Sequence, residues 1–325
     1  MHQAMVMAAE QDQVIRARLT AIGPMPDMMR IDKAVLGAAR KPAAAITLSE
    51  ETAERRRDRA RLAPDVERLT VGVFVDFVAA RIAGQSACGL GREGRAVIEI
   101  ADVKHVLVIV TNAAEIGPNH RATGFFFPEI AHPVAVLDEA GIAVEYASPQ
   151  GGKPPEDGFD DSDPVQSEFR TSASYRRLAH SRKLSDVDVL GYDAIFFPGG
   201  LGPMVDITGN PLVKAAVRRA WDGGKIVAAV CHGPSALLGV SLDDGTPLVR
   251  GRKVAGFSKE EEDGYARADV PFDLETALRD EGALFEAAAP WQPKLMVDGR
   301  LITGQNPASG TVVGEAIADA LRKAP

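Results

Sequence analysis

From residue 101 onward the chain alternates strand-sized apolar runs with helix-length segments, and one of those runs passes directly into a cysteine. Lys104–Thr111 (KHVLVIVT), Ile142–Ala147 (IAVEYA), Asp193–Phe197 (DAIFF) and Lys225–Val230 (KIVAAV) are short and mostly apolar, as strands buried on both faces are. Between them, Phe125–Ala140 spaces its apolar residues at a helical period and stops at Gly141. Ser148–Asp163 is rich in Gly and Pro and reads as a loop, and a helical stretch follows near Ser172–Leu184. Pro211–Asp222 starts with Pro and has Gly223 just past its end, the asymmetry expected of a helix. Strands separated by segments this long must run parallel, because parallel neighbours need crossovers, so the chain should fold as an α/β sheet covered on both faces. Sites in such sheets lie beyond the carboxyl ends of the strands, where both Gly199-Gly200 and Cys231 fall.

Residues 1–100 lack this alternation and read as an N-terminal extension to a catalytic domain at 101–325. Within the extension, Glu51–Glu67 is an Arg-rich stretch expected to be an exposed helix. Leu69–Ile82 has a better apolar pattern, and Gly84–Gly94 reads as loop. Charge is split unevenly: residues 1–100 hold 15 Lys and Arg against 13 Asp and Glu, and residues 101–325 hold 22 against 32. An acidic domain argues against nucleic acid, whose binders concentrate cations on one face. A small molecule or a protein is the expected partner. With only Cys88 and Cys231, no disulfide framework is implied and a reducing, cytoplasmic compartment is the default. The apolar runs are far shorter than the ~20 residues that cross a bilayer, and the first residues lack the basic and apolar regions of a secretion signal.

The chemistry concentrates in Ile226–Leu238, where Cys231 stands between a strand and an expected helix. A sharp turn there exposes the side chain, and helix N–H groups aimed at sulfur favour thiolate over thiol. Ala229 and Gly233 supply the small neighbours such a crowded turn requires. His232 is either a general base or only the donor of a backbone N–H. No histidine follows it, which rules out the hydrolase order of nucleophile, acid and distal histidine. His105, His120, His132 and His180 are poorer candidates for a base.

Gly199-Gly200 has neither dinucleotide-binding nor phosphate-loop spacing. Glycines at a strand's end can instead offer N–H groups to an oxyanion, and the amides of Gly200 and His232 are the candidates. Glu129, set in the apolar segment Phe125–Pro133, would hold a raised pKa on an apolar face and could share a proton with a thiolate. The run Glu260–Asp263 is ordinarily a solvated face, although it could set one carboxylate beside His232. Cysteines and histidines show no metal-ligand spacing.

Five separated motifs, in order, resemble those of the ThiJ/PfpI superfamily, in the subgroup of glutathione-independent glyoxalases and heat-shock chaperones. They are Thr123-Gly-Phe with Glu129 and Ala131-His-Pro133, Ala147–Pro155 (ASPQGGKPP), Phe197-Pro-Gly-Gly200, Ala229–Pro234 (AVCHGP) and Leu301–Ser309 (LITGQNPAS). The likeness spans about residues 102–322 and implies a flavodoxin-like three-layer sandwich with a mainly parallel sheet. It also implies Cys231 as nucleophile, His232 as its base and Glu129 hydrogen-bonded to the sulfur. The third acid, counted from Ala255-Gly-Phe257, falls on Glu262, with Glu261 as the alternative. The implied activity is a lyase of the glyoxalase III or D-lactate dehydratase type, converting methylglyoxal or a related small aldehyde to a hydroxy acid without a cofactor. A holdase for unfolded clients, a thiol hydrolase or peptidase, and a homodimer are the other properties the resemblance brings.

Overall fold

A computed structural model describes residues 103–323 and, ahead of them, the two-residue strands Gly89–Leu90 and Ala96–Val97, which pair antiparallel. The first of these falls inside Gly84–Gly94, expected to be loop throughout. The readings of Glu51–Glu67 and Leu69–Ile82 lie outside the described residues.

The remainder is built on a seven-stranded sheet. Its strands in chain order are β1 (His105–Ile109), β2 (Ala143–Ser148), β3 (Arg182–Lys183), β4 (Ala194–Phe197), β5 (Ile226–Val230), β6 (Leu295–Asp298) and β7 (Leu301–Gly304). They lie side by side in the order β6-β7-β5-β4-β1-β2-β3. Every neighbouring pair is parallel except the β6–β7 hairpin at one edge. Every residue of β4 and β5 is buried, which requires both faces of the sheet to be covered. Helices α1 (Pro128–Glu139), α2 (Pro164–Thr171), α3 (Ala173–Leu178), α4 (Pro211–Asp222), α5 (Lys259–Tyr265) and α6 (Gly310–Lys323) flank it. The expected α/β sandwich with a mainly parallel sheet is the observed fold.

Several local expectations need correction. The first helix begins at Pro128 and not at Phe125, because Phe125–Phe126 pair as a short parallel strand with Glu156–Asp157. The segment read as one helix near Ser172–Leu184 ends at Leu178 and is followed by β3, and α2 precedes it unanticipated. Ahead of the acidic run, Lys253–Val254 form a short strand paired parallel with Leu284–Phe285. The segment after Cys231 is a five-residue 3-10 turn, Gly233–Leu237, instead of a full helix.

The register positions the site. Phe197, the last residue of β4, lies opposite Ala229 of β5, so the Pro198-Gly199-Gly200 turn and Cys231 leave neighbouring strands side by side. Glu129 enters from the first turn of α1 and Glu262 from that of α5.

Candidate active site

Cys231 takes a backbone conformation that side chains other than glycine seldom adopt, with φ 61°. Such a residue costs on the order of 1–3 kcal/mol and persists only where its surroundings over-determine it. Here they do. Its N–H continues the β5–β7 ladder to the Gly304 carbonyl at 3.0 Å, and its own carbonyl accepts from the Phe257 N–H at 2.8 Å. The turn also needs open space on the facing loop: a Cβ built on Gly233 would lie 2.1 Å from the Phe197 carbonyl oxygen.

Three sets of groups converge on the free Cys231 thiol. On one side, His232 Nδ1 lies 3.4 Å from Sγ and His232 Nε2 lies 2.7 Å from Glu262 Oε2. A hydrogen bond at Nε2 to a carboxylate fixes the tautomer with the proton there, leaving Nδ1 free to accept from the thiol. The backbone N–H groups of Gly200 and His232 lie close enough to the sulfur to favour its anion. The third is Glu129, fully buried, whose Oε2 accepts from the Gly199 N–H at 2.7 Å. Its Oε1 is buried without a hydrogen bond of ordinary geometry, although the carboxyl is near enough to Cys231 for the two to interact through a hydrogen bond and through charge. A Cβ on Gly199 would sit 2.6 Å from both Cys231 Cβ and Glu129 Oε2, so only glycine lets strand end, thiol and carboxyl meet.

Burial pushes the Glu129 carboxyl up to about 8, against a smaller pull downward from the Cys231 hydrogen bond and the Gly199 N–H. Burial also raises the Cys231 thiol well above its ordinary value, with Glu129 adding to the rise, while the Gly200 and His232 amides work against it. The amides of the turn thus favour the anion as expected, and burial together with Glu129 opposes them. Cys231 is nearly enclosed, 4% exposed, and the short 3-10 turn adds only the His232 amide to that of Gly200 where a longer helix would add its dipole.

The acidic run is also unlike a solvated face, because Glu261 and Glu262 are both buried. Ser258 caps α5, and Glu261 folds back to form a capping box with it, so that the next residue, Glu262, projects toward His232. Glu261 makes no contact with the histidine. Its Oε2 accepts from the Ser258 N–H, the Ser258 hydroxyl and Gln305 Nε2 at 2.8–3.0 Å, and its Oε1 accepts from the Trp291 N–H and Asn306 Nδ2 at 2.7 and 2.8 Å. The other histidines lie elsewhere: His120 pairs with Glu115, His132 with Asp163, His105 opens β1 at the end away from the site, and His180 is exposed.

Two participants were not read from the sequence. Gly199 holds Glu129, and the pairing of Gly199-Gly200 with a strand end was the only hint of it. Phe257 packs its ring 4.5 Å from that of His232, a contact between residues 25 positions apart that no local pattern reveals. Among the described residues, no cluster of His, Cys, Asp and Glu is arranged to hold a metal ion, and no helix is long and apolar enough to cross a membrane.

Comparison with known proteins agrees with this architecture. The chain is similar to Glyoxalase 3 of Candida albicans, at 29% identity over 66% of this chain and 97% of that protein. It is likewise similar to a glutathione-independent glyoxalase of Saccharomyces cerevisiae, at 28% identity over 67% of this chain and 98% of the other. Among solved structures, Rapid Encystment Protein 24 KDa of Francisella tularensis superposes with a TM-score of 0.65 at 32% identity, covering 67% of this chain and 99% of that one. The sequence model of the DJ-1/PfpI family matches residues 121–320, and the chain therefore belongs to the DJ-1/PfpI family.

Proposed function

We propose that residues 101–325 form a glutathione-independent glyoxalase that converts methylglyoxal or a related 2-oxoaldehyde to a 2-hydroxy acid. The observation that carries the reading is Glu129: a fully buried carboxyl, its pKa raised to about 8, that stands beside the nucleophile in addition to the His232–Glu262 pair. Hydrolysis of an ester or peptide needs only nucleophile, base and orienting acid. A glyoxalase needs in addition a group that moves a proton between adjacent carbons, and Glu129 supplies it. The names of the curated relatives support the same reading.

In this mechanism His232 Nδ1 takes the thiol proton as Sγ attacks the aldehyde carbon, and Glu262 stabilises the imidazolium through Nε2. The hemithioacetal oxyanion is held by the Gly200 and His232 amides. Glu129, which begins neutral beside the sulfur, passes its proton to the oxyanion, then removes the hydrogen on C1 as a proton while the His232 imidazolium protonates the C2 oxygen to give an enediol; it returns that proton to C2 and takes back the one on the C1 hydroxyl. The product is a thioester, which water cleaves to release the hydroxy acid and restore the thiol. Oxidation at C1 balances reduction at C2, so the atoms close on substrate plus one water.

The test is formation of lactate from methylglyoxal by purified protein without added glutathione. Cys231→Ala is expected to lower it by at least about 10³-fold, and equal turnover by that variant would reject the reading. A cytoplasmic location and a homodimer go with this proposal, and a holdase role is the alternative to it. Sedimentation reads the dimer, and suppression of client aggregation by the Cys231→Ala protein reads the holdase.

A further inference from the structure

We propose that Tyr265 and Trp291 form a substrate-selecting rim beside the Cys231 site, suited to 2-oxoaldehydes that carry a flat aryl group; this rests on the glyoxalase reading and narrows its substrate class. A continuous row of rings leads from the buried nucleophile toward solvent. The His232 ring lies 4.5 Å from that of Phe257, and Phe257 lies 5.9 Å from Tyr265 and 5.6 Å from Trp291. Tyr265 and Trp291 meet edge to face at 6.0 Å. Phe257 is buried, whereas Tyr265 is 39% and Trp291 49% exposed, so the row ends in two aromatic surfaces open to a ligand.

The rim is built and held in place. Trp291 has φ 63°, which a tryptophan adopts only under constraint, and the constraint is its N–H bonded to Glu261 Oε1 at 2.7 Å. Arg121 places its guanidinium 4.6 Å from the Tyr265 ring centre and bonds the Tyr265 carbonyl. An exposed tryptophan strained into position by a buried carboxylate is unexpected for a surface with no ligand. Methylglyoxal offers a single methyl group, too small to touch both rings, while an aryl group can lie edge or face against them.

Cys231 alkylation reads the rim independently of turnover. Phenacyl bromide and bromoacetone both react by attack of sulfur on the CH2 carbon with loss of bromide, and they differ only in phenyl against methyl. Rates at Cys231, followed by peptide mass spectrometry, are divided by the rates with 2-mercaptoethanol. The wild-type protein is expected to prefer phenacyl bromide about ten-fold after this correction, roughly the energy of one good aromatic contact. Trp291→Gly removes the ring while suiting the left-handed backbone, and should bring the ratio to about one; Trp291→Phe should keep most of it. A wild-type ratio near one, or an unchanged ratio in Trp291→Gly, overturns the rim. The matching kinetic arm compares mandelate formation from phenylglyoxal with lactate formation from methylglyoxal, and equal losses of kcat/KM for both in Trp291→Gly also overturn it. Formation of neither acid by the wild type overturns the glyoxalase reading itself, and the aryl-substrate assignment with it, whatever the alkylation ratio.

Discussion

Two buried carboxylates near Cys231, each in the first turn of a helix, are handled in opposite ways. Glu129 at the start of α1 receives one backbone N–H on Oε2 and leaves Oε1 without a well-formed bond. Glu261 at the start of α5 receives five donors from four residues. Burial is equally complete, so burial by itself does not set a carboxyl's task. A carboxyl with few donors resists ionisation and is available to exchange a proton, whereas one saturated with donors becomes a fixed joint between segments.

The contrast can be broken in four ways, taken from the largest expected effect downward. Glu129→Gln keeps the shape but removes the exchangeable proton, and kcat for 2-oxoaldehyde conversion should fall by about 10²–10⁴-fold with little loss of stability. Full activity in steady-state assays of this variant would erase the distinction. Glu261→Ala should behave the other way in unfolding experiments, costing about 3 kcal/mol because several buried donors lose their acceptor at once.

The third test is pH. Because the folded-state pKa of Glu129 is raised from 4.5 to about 8, the folded protein binds a proton in that window which the unfolded chain has released. Its contribution to stability is thus complete below the unfolded value and is lost as pH rises through the folded one, at up to about 1.4 kcal/mol per pH unit. Urea unfolding at a series of pH values should show this slope in the wild type and its absence in Glu129→Gln. The smallest effect is at Ser258, whose hydroxyl caps α5 and bonds Glu261; Ser258→Ala should cost about 1 kcal/mol, seen as a lowered midpoint.

Much of the architecture was legible in the chain because parallel strands buried on both faces have a one-dimensional signature. Ile226–Val230 can only be apolar throughout, and a turn this tight after it admits only small neighbours. The same local logic failed at Phe125–Phe126, where helical spacing of apolar residues was overridden by pairing with Glu156–Asp157, more than 25 residues away. It failed again at Glu260–Asp263. A run of four acids has the composition of a solvated surface, yet a capping box turned the second of them inward to join the segments at Trp291 and at Gln305-Asn306, and aimed the next at His232.

Residue pattern alone gave four of the sheet's seven strands and their need for crossovers, the position of Cys231 at a strand's carboxyl end, and the small set of acids and amides able to serve it. These follow from periodicity, turn chemistry and motif spacing, which act between residues close in the chain. Which acid meets the imidazole, which has its pKa raised and which acts as a joint, and how strongly burial opposes the thiolate, emerged from the folded molecule alone. Those outcomes depend on desolvation and on the number of donors reaching a given oxygen, and both are set by segments that folding brings together from distant parts of the chain.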